Sequence, residues 1–276
     1  MKQVASLRYG VIFKKAFSQP DIFKAFVKDF LNIELEIDQV ETEKSFSPPI
    51  GRVDSHFDLY AEDKRNRVIV DIQHVKFPDH YDRFLHYHCA AVLEQVSSAE
   101  SYSPNLKVFT IVVLTSGDKH QVPMAVIDFD PQNMFTGKPL GEIAHRVLYL
   151  CPKYVDDTIP EPYRQWLLAI DDSLDGEVEE SHYTHPSLRQ IFDLIEKDEI
   201  TPQERARMKD EYGYEQLRQE KYQEGLAVGI TEGIEQGKQA EKIAIARTLL
   251  TMSLDTSTII QVTGLSEPEI EKLRGI

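Results

Sequence analysis

A chain of 276 residues is long enough for one sizeable domain and an appendage, and it contains no run of ~18 apolar residues, which excludes a membrane-spanning helix. A formal net charge of −15 argues at first against a nucleic-acid partner, but residues 1–150 carry 17 Lys and Arg against 20 Asp and Glu, net −3, whereas residues 151–276 carry 14 against 26, net −12. Local phosphate binding therefore stays open in the first part of the chain. Cys89 and Cys151 stand in apolar contexts without a close-spaced metal or redox pattern, and read as reduced core residues of a cytoplasmic protein.

Residues 7–31 carry Phe13, Phe17, Phe23, Phe26 and Phe30 at roughly helical spacing, interrupted by Pro20, and predict two short core helices. Lys14 and Lys15 on the first are candidates for phosphate contact. Residues 33–42 alternate weakly and predict a strand, and Pro48, Pro49 and Gly51 mark a turn cluster. Residues 53–60 then show a period of two, with Asp54, His56, Asp58 and Tyr60 on one face and Val53, Ser55, Phe57 and Leu59 on the other. A charged turn leads to residues 67–75, rich in β-branched side chains, where Asp71 and Gln73 are the polar groups of an otherwise apolar strand.

Two carboxylates on one face of a hairpin need a reason, because burying an unpaired carboxylate is costly and a second one beside it adds repulsion. A divalent cation removes both problems. Asp58, Asp71 and the backbone carbonyl of Ile72 make a ligand set for a Mg²⁺ that keeps several waters, one of which could attack a phosphodiester. Asp54 lies four residues before Asp58, roughly 13 Å along a strand, too far to share that ion.

A helix is predicted over residues 82–99, largely buried, with Phe84, His88, Ala91 and Gln95 on one face. His74, His80, His86 and His88 cluster in sequence, but their directions on strand and helix do not converge, so they read as surface or core histidines rather than a zinc site. Residues 105–114 form a continuous apolar run suited to a central strand, and residues 122–129 and 143–151 add two more. Residues 160–170, with Trp166, make a helix against the sheet, which gives an α/β fold with a mixed sheet. Six acids in residues 171–180 suggest a solvated linker.

Residues 186–212 are helical with a break near Pro202. Residues 214–251 form one long helix in which Gly225, Gly229, Gly233 and Gly237 recur every four residues. Each glycine costs roughly 1 kcal/mol against alanine in a helix interior. A row of them points to a close helix contact, either homo-oligomerisation or intramolecular docking. The final residues pair two short helices around Gly264, with Ser266 and Glu269 in capping-box spacing. The pair looks like a helix-turn-helix fragment, but the second helix is short and acidic, with Glu267, Glu269 and Glu271 where phosphate contacts should lie, and reads as an assembly module more than a DNA reader.

An acid on one strand, Asp58, followed on the next by Asp71-Ile72-Gln73, resembles the core motif of the PD-(D/E)XK nuclease superfamily. DLYAED with a short basic turn and VIVDIQ, the upstream YGVIFKKAF, the downstream YDRFLHYHCAAVLEQV and the Gly-spaced helix are similar to the recombination-promoting nucleases, a family also labelled putative transposases. The resemblance implies a restriction-endonuclease-like α/β core over residues 1–170, the acidic linker to residue 185 and an all-helical extension over residues 186–276. It implies a Mg²⁺-dependent DNA endonuclease with Asp58, Asp71 and Gln73 catalytic, Gln73 replacing the motif's lysine, and Asp71 standing where relatives usually carry glutamate. Arg83 matches a family position for phosphate binding and Gln95 one for active-site contact. The alternative is a catalytically silent nuclease fold that serves as a DNA-binding or protein-interaction module.

Overall fold

The structure, a computed structural model, describes residues 1–46, 55–74, 80–95 and 104–275; Asp54 and the turn cluster after Phe46 lie outside them. In chain order the elements are β1 (Lys2–Gln3), α1 (Gly10–Phe17), α2 (Pro20–Leu31), β2 (Glu41–Phe46), β3 (Ser55–Glu62), β4 (Asn66–Gln73), α3 (His80–Leu93), β5 (Lys107–Leu114), β6 (Met124–Asp128), β7 (Arg146–Leu150), α4 (Tyr163–Asp172), β8 (Glu177–Val178), α5 (Pro186–Leu194), α6 (Pro202–Thr251), α7 (Thr256–Thr263) and α8 (Glu267–Arg274). Pro20 opens α2, where its missing N–H costs nothing, and Asn32 closes that helix in the left-handed region at φ 54°.

Six strands form one mixed sheet in the order β2-β3-β4-β5-β7-β6. β4, β5 and β7 are parallel, β3 and β6 flank them antiparallel, and β2 pairs antiparallel with β3. The β-branched runs of β4 and β5 occupy the centre because both their faces are covered. On one face Val68, Val70, Ile111 and Val113 meet α1, α2, α4 and α5. On the other, Ile69, Val108 and Val112 meet Phe84, Tyr87 and Ala91 of α3. Trp166 of α4 is fully buried in the first layer against Phe17 and Phe26, and its indole N–H donates to Asp29 Oδ2 at 2.6 Å.

Three sequence expectations change. Residues 33–40 form no strand, although Leu35 and Ile37 are buried; their weak alternation puts two apolar side chains into the core, and the ladder starts only at Glu41. Cys89 faces outward from α3, while Cys151 is buried. The acidic stretch is no linker: Val178 is buried, β8 pairs with β1, and Leu188, Ile191 and Phe192 of α5 enter the same core as α1 and α2. The acids ride outside elements whose few apolar side chains point inward, so the boundary falls later, dividing the chain into Met1–Tyr212 and Gly213–Ile276.

In the second unit Ala246, Ile259, Leu265 and Ile270 make a small core. Asp255 caps α7 by accepting from the Thr258 N–H at 3.0 Å, and Ser266 with Glu269 closes the expected capping box on α8. Gly225, Gly229, Gly233 and Gly237 are exposed, and a Cβ at any of them would meet nothing within 4 Å. Intramolecular docking on this row is thus absent among the described residues. Beside it runs an exposed apolar row, Leu226, Ile230 and Ile234. No described helix is long and apolar enough to cross a membrane.

Candidate active site

The predicted alternation of β3 changes phase at Asp58. Phe57 packs with Tyr60 and Ile69, whereas Leu59 and Ala61 pack on the opposite layer with Val68 and Val70. The ladder shows the same break. β2 and β3 pair at Thr42↔Leu59 and Lys44↔Phe57 but not at Glu43 and Asp58, and β3 meets β4 only from Leu59↔Val70 onward. Glu43 sits in the left-handed region at φ 57°, which costs a residue with a Cβ roughly 1–2 kcal/mol. The other non-glycine residues of positive φ, among the described ones, are Asn32, Gln121 and Ser253, all outside strands.

Where backbone pairing stops, the carboxylates take over. Asp58 N–H donates to Asp71 Oδ1 at 2.9 Å, and Ile72 N–H donates to Asp58 Oδ2 at 3.0 Å. Each acid thereby accepts the amide that a ladder carbonyl would otherwise receive. Asp71 is 3% exposed and its Oδ2 has no hydrogen-bond partner among the described residues. Burial, and next the charge of Asp58, push its carboxyl well above the ordinary carboxylate range, against the Asp58 N–H and the charges of Arg83 and Lys14. Burial also raises the Asp58 carboxyl, opposed by Lys14 and the Ile72 N–H and assisted by Glu43. The two therefore titrate as a pair in which full ionisation is unfavourable without added positive charge.

Neighbouring elements supply that charge in part. Lys14 of α1 reaches through to place Nζ 3.4 Å from Asp58 Oδ1 and to pair with Glu43 as well. Burial alone would lower its pKa, but the two acids outweigh it and hold the ammonium charged. On the other layer, Arg83 Nη1 approaches Gln73 Oε1 at 3.5 Å, and the guanidinium lies over the Phe84 and Tyr87 rings at 5.3 Å from each. The first turn of α3 is fixed to the segment after β5, with His80 Nε2 3.2 Å from Asp118 Oδ1 and the Tyr81 hydroxyl donating to Asp118 Oδ2 at 2.9 Å. His74 and His88 contact Thr115 and Thr110 through Nδ1.

Gln73 is buried, and its carbonyl accepts from the Thr115 N–H at 3.0 Å on the β5 side. Because N–H and C=O alternate sides along a strand, the Ile72 carbonyl turns with its N–H toward Asp58. The site thus gathers Asp58, Asp71, Ile72, Gln73, Arg83 and Lys14 at the carboxyl ends of β4 and β5.

Gln95 is not among them. Its Oε1 accepts from Leu106 N–H at 2.8 Å, and its Nε2 donates to the Ala91 carbonyl, which also receives Arg67 Nη1. Asp71 pairs with Val112, six residues further along β5 than Leu106, so Gln95 works roughly 20 Å from the acids, tying the end of α3 to the start of β5. Glu43 was missed by sequence reasoning. Nothing local signals it, since its place depends on a break in pairing, whereas Lys14 left one trace, a lysine in a short helix whose neighbours are nearly all apolar.

A family model described as PD-(D/E)XK nuclease family transposase matches residues 8–224, and one described as Rpn/YhgA-like nuclease family, C-terminal HTH domain, matches residues 239–275. No curated protein and no solved structure gives a significant match. The second model covers α7 and α8, so the pair whose sequence looks like a helix-turn-helix fragment does carry the pattern of such a domain. With every residue of the carboxylate site inside the first match and the mixed sheet to hold them, the chain belongs to the PD-(D/E)XK nuclease family transposases, and its end matches the helix-turn-helix domain of Rpn/YhgA-like nucleases.

Proposed function

We propose that the protein is a metal-dependent DNA endonuclease that hydrolyses phosphodiester bonds, serving DNA recombination or defence against foreign DNA. The observation that carries this reading is the Asp58–Asp71 pair, with one oxygen of a buried carboxylate lacking a hydrogen-bond partner among the described residues. Its cost falls away when a cation sits beside it. Oxygen donors alone, two carboxylates and the Ile72 carbonyl, suit a hard ion such as Mg²⁺. Such an ion would hold and acidify the attacking water and offset phosphate charge.

The chain's own groups do the rest. Gln73 offers an amide that both donates and accepts, and orients a water or a phosphate oxygen. Arg83 steadies Gln73 and presents a permanent charge to phosphate. The helix-turn-helix segment adds a second DNA contact, and a second copy of the chain packs on the glycine row of α6, where the Leu226, Ile230 and Ile234 ridge has a groove beside it.

Plasmid nicking with Mg²⁺ and with a chelator tests the reading. Cleavage should need the ion and vanish in Asp58→Asn and Asp71→Asn; cleavage surviving in both variants, with metal affinity unchanged by calorimetry, would falsify it. The uncharged Gln73 favours a second reading, a silent DNA-binding module, which retention of plasmid without nicking in the wild type would select.

A further inference from the structure

We propose that Lys14 of α1 supplies the fixed positive charge that the Asp71-Ile72-Gln73 motif lacks, and that Glu43, delivered by the irregular β2 strand, holds it at the reacting phosphate. This rests on the nuclease reading above. Three independent observations converge on it. A motif lysine would emerge from β4 at position 73, but Gln73 is neutral and is engaged by Arg83. The ammonium of Lys14 arrives at the same carboxylate from a different element, 3.4 Å from Asp58 Oδ1. Its aliphatic stem is packed so that the side chain is only 17% exposed, which fixes the charge instead of leaving it to wander in solvent.

Glu43 supplies the reason for the break in the sheet. Its left-handed backbone removes the Glu43–Asp58 rung and turns its carboxylate onto the Lys14 ammonium. A strand that merely paired would have no use for this conformation. The pairing is also uneven in a telling way: Lys14 has two acid partners, so it can keep Glu43 while turning its remaining protons from Asp58 toward phosphate.

In the reaction a water oxygen bonds to phosphorus, the bond from phosphorus to the leaving sugar oxygen breaks, and that oxygen takes a proton from solvent while the attacking water gives one up. Negative charge grows on the phosphoryl oxygens as this happens, and a preorganised ammonium stabilises it more than it stabilises the bound ground state. Lys14 therefore belongs to kcat, and a surface lysine that only gripped the DNA backbone would belong to KM.

The experiment uses the full chain with Mg²⁺ and a plasmid substrate. Lys14→Ala should lower kcat on the order of a hundredfold, the size seen when one preorganised donor is removed, with KM and calorimetric Mg²⁺ affinity within about twofold of wild type. Lys14→Met, which keeps the apolar stem, guards against a folding defect and should show the same loss. Adding Gln73→Lys to Lys14→Ala should recover most of the lost rate by returning the charge to the motif. Glu43→Ala should lower kcat less, with KM held. Wild-type kcat in Lys14→Ala, a loss confined to KM, or a kcat loss that Gln73→Lys does not recover overturns the proposal. Asp58→Asn run alongside separates the two levels: if it cleaves like wild type, the nuclease reading itself fails, whereas a dead Asp58→Asn beside an active Lys14→Ala removes only the role given to Lys14.

Discussion

Asp71 carries an electrostatic burden that can be measured without any substrate. Its carboxyl is raised in the folded chain by burial and by Asp58, so below the ordinary carboxylate pKa both folded and unfolded forms hold the proton and no penalty exists. As pH rises past about 4, the unfolded chain releases that proton first. Stability is therefore lost until pH passes the raised value. Asp71→Asn keeps an oxygen for the Asp58 N–H and has no charge to bury. Metal-free Asp71→Asn should melt higher than wild type at neutral pH, by roughly 2–4 °C for each ~1 kcal/mol relieved, and the gap should close toward pH 4. Mg²⁺ should raise the wild-type melting temperature and leave the variant unmoved. A variant that melts lower without metal would contradict the burden. The acids and Gln73 were legible in sequence because strand period and composition isolate polar groups on an apolar strand. The active-site contact that the resemblance implied for Gln95 could not be checked in sequence, because helical period fixes which face a side chain occupies, not which end of the sheet that face meets.

Among the elements, α1 has the least ordinary construction. Tyr9 at its N-cap offers no side-chain cap, and the free N–H groups of Gly10 and Val11 donate instead to the carboxylate of Glu211, at 2.7 and 3.1 Å. A charge at that end also favours the helix dipole. The same root of α6 reaches Lys15 through Glu204. Glu211→Ala should cost about 1 kcal/mol, the usual worth of a cap, and Glu211→Gln less, since one acceptor remains. Thermal unfolding reads both; equal stability of Glu211→Ala and wild type would mean that water replaces the cap at no cost. The two helices broken at Pro20, the central strands and the capping box on α8 could all be read from local chemistry. This remote cap could not, because the two residues lie 201 positions apart.

At the level of the whole molecule, the acidic surface hid where the first unit ends. Counting charge suggested a boundary near residue 170, but the buried Leu188, Ile191 and Phe192 belong to the core of α1, α2 and α4. A chain ended after residue 170 should fail to fold, and one ended at Tyr212 should give a cooperative thermal transition and keep Mg²⁺-dependent cleavage. Folding of the shorter chain would restore the earlier boundary. For assembly, Gly229→Leu with Gly233→Leu should reduce the oligomer seen by light scattering, even though each change favours the helix by several tenths of a kcal/mol. A monomeric wild type would dismiss the glycine contact.

The exchange in which Asp58 and Asp71 each receive the other strand's amide makes them fasteners as well as reactive groups. Shape and chemistry then make separable demands on the same two positions, one for an oxygen and one for a charge. A descendant that has given up cutting DNA would still need the oxygens to close the sheet, so its retirement should be written as asparagine at these sites, with alanine appearing only where the strands themselves have come apart.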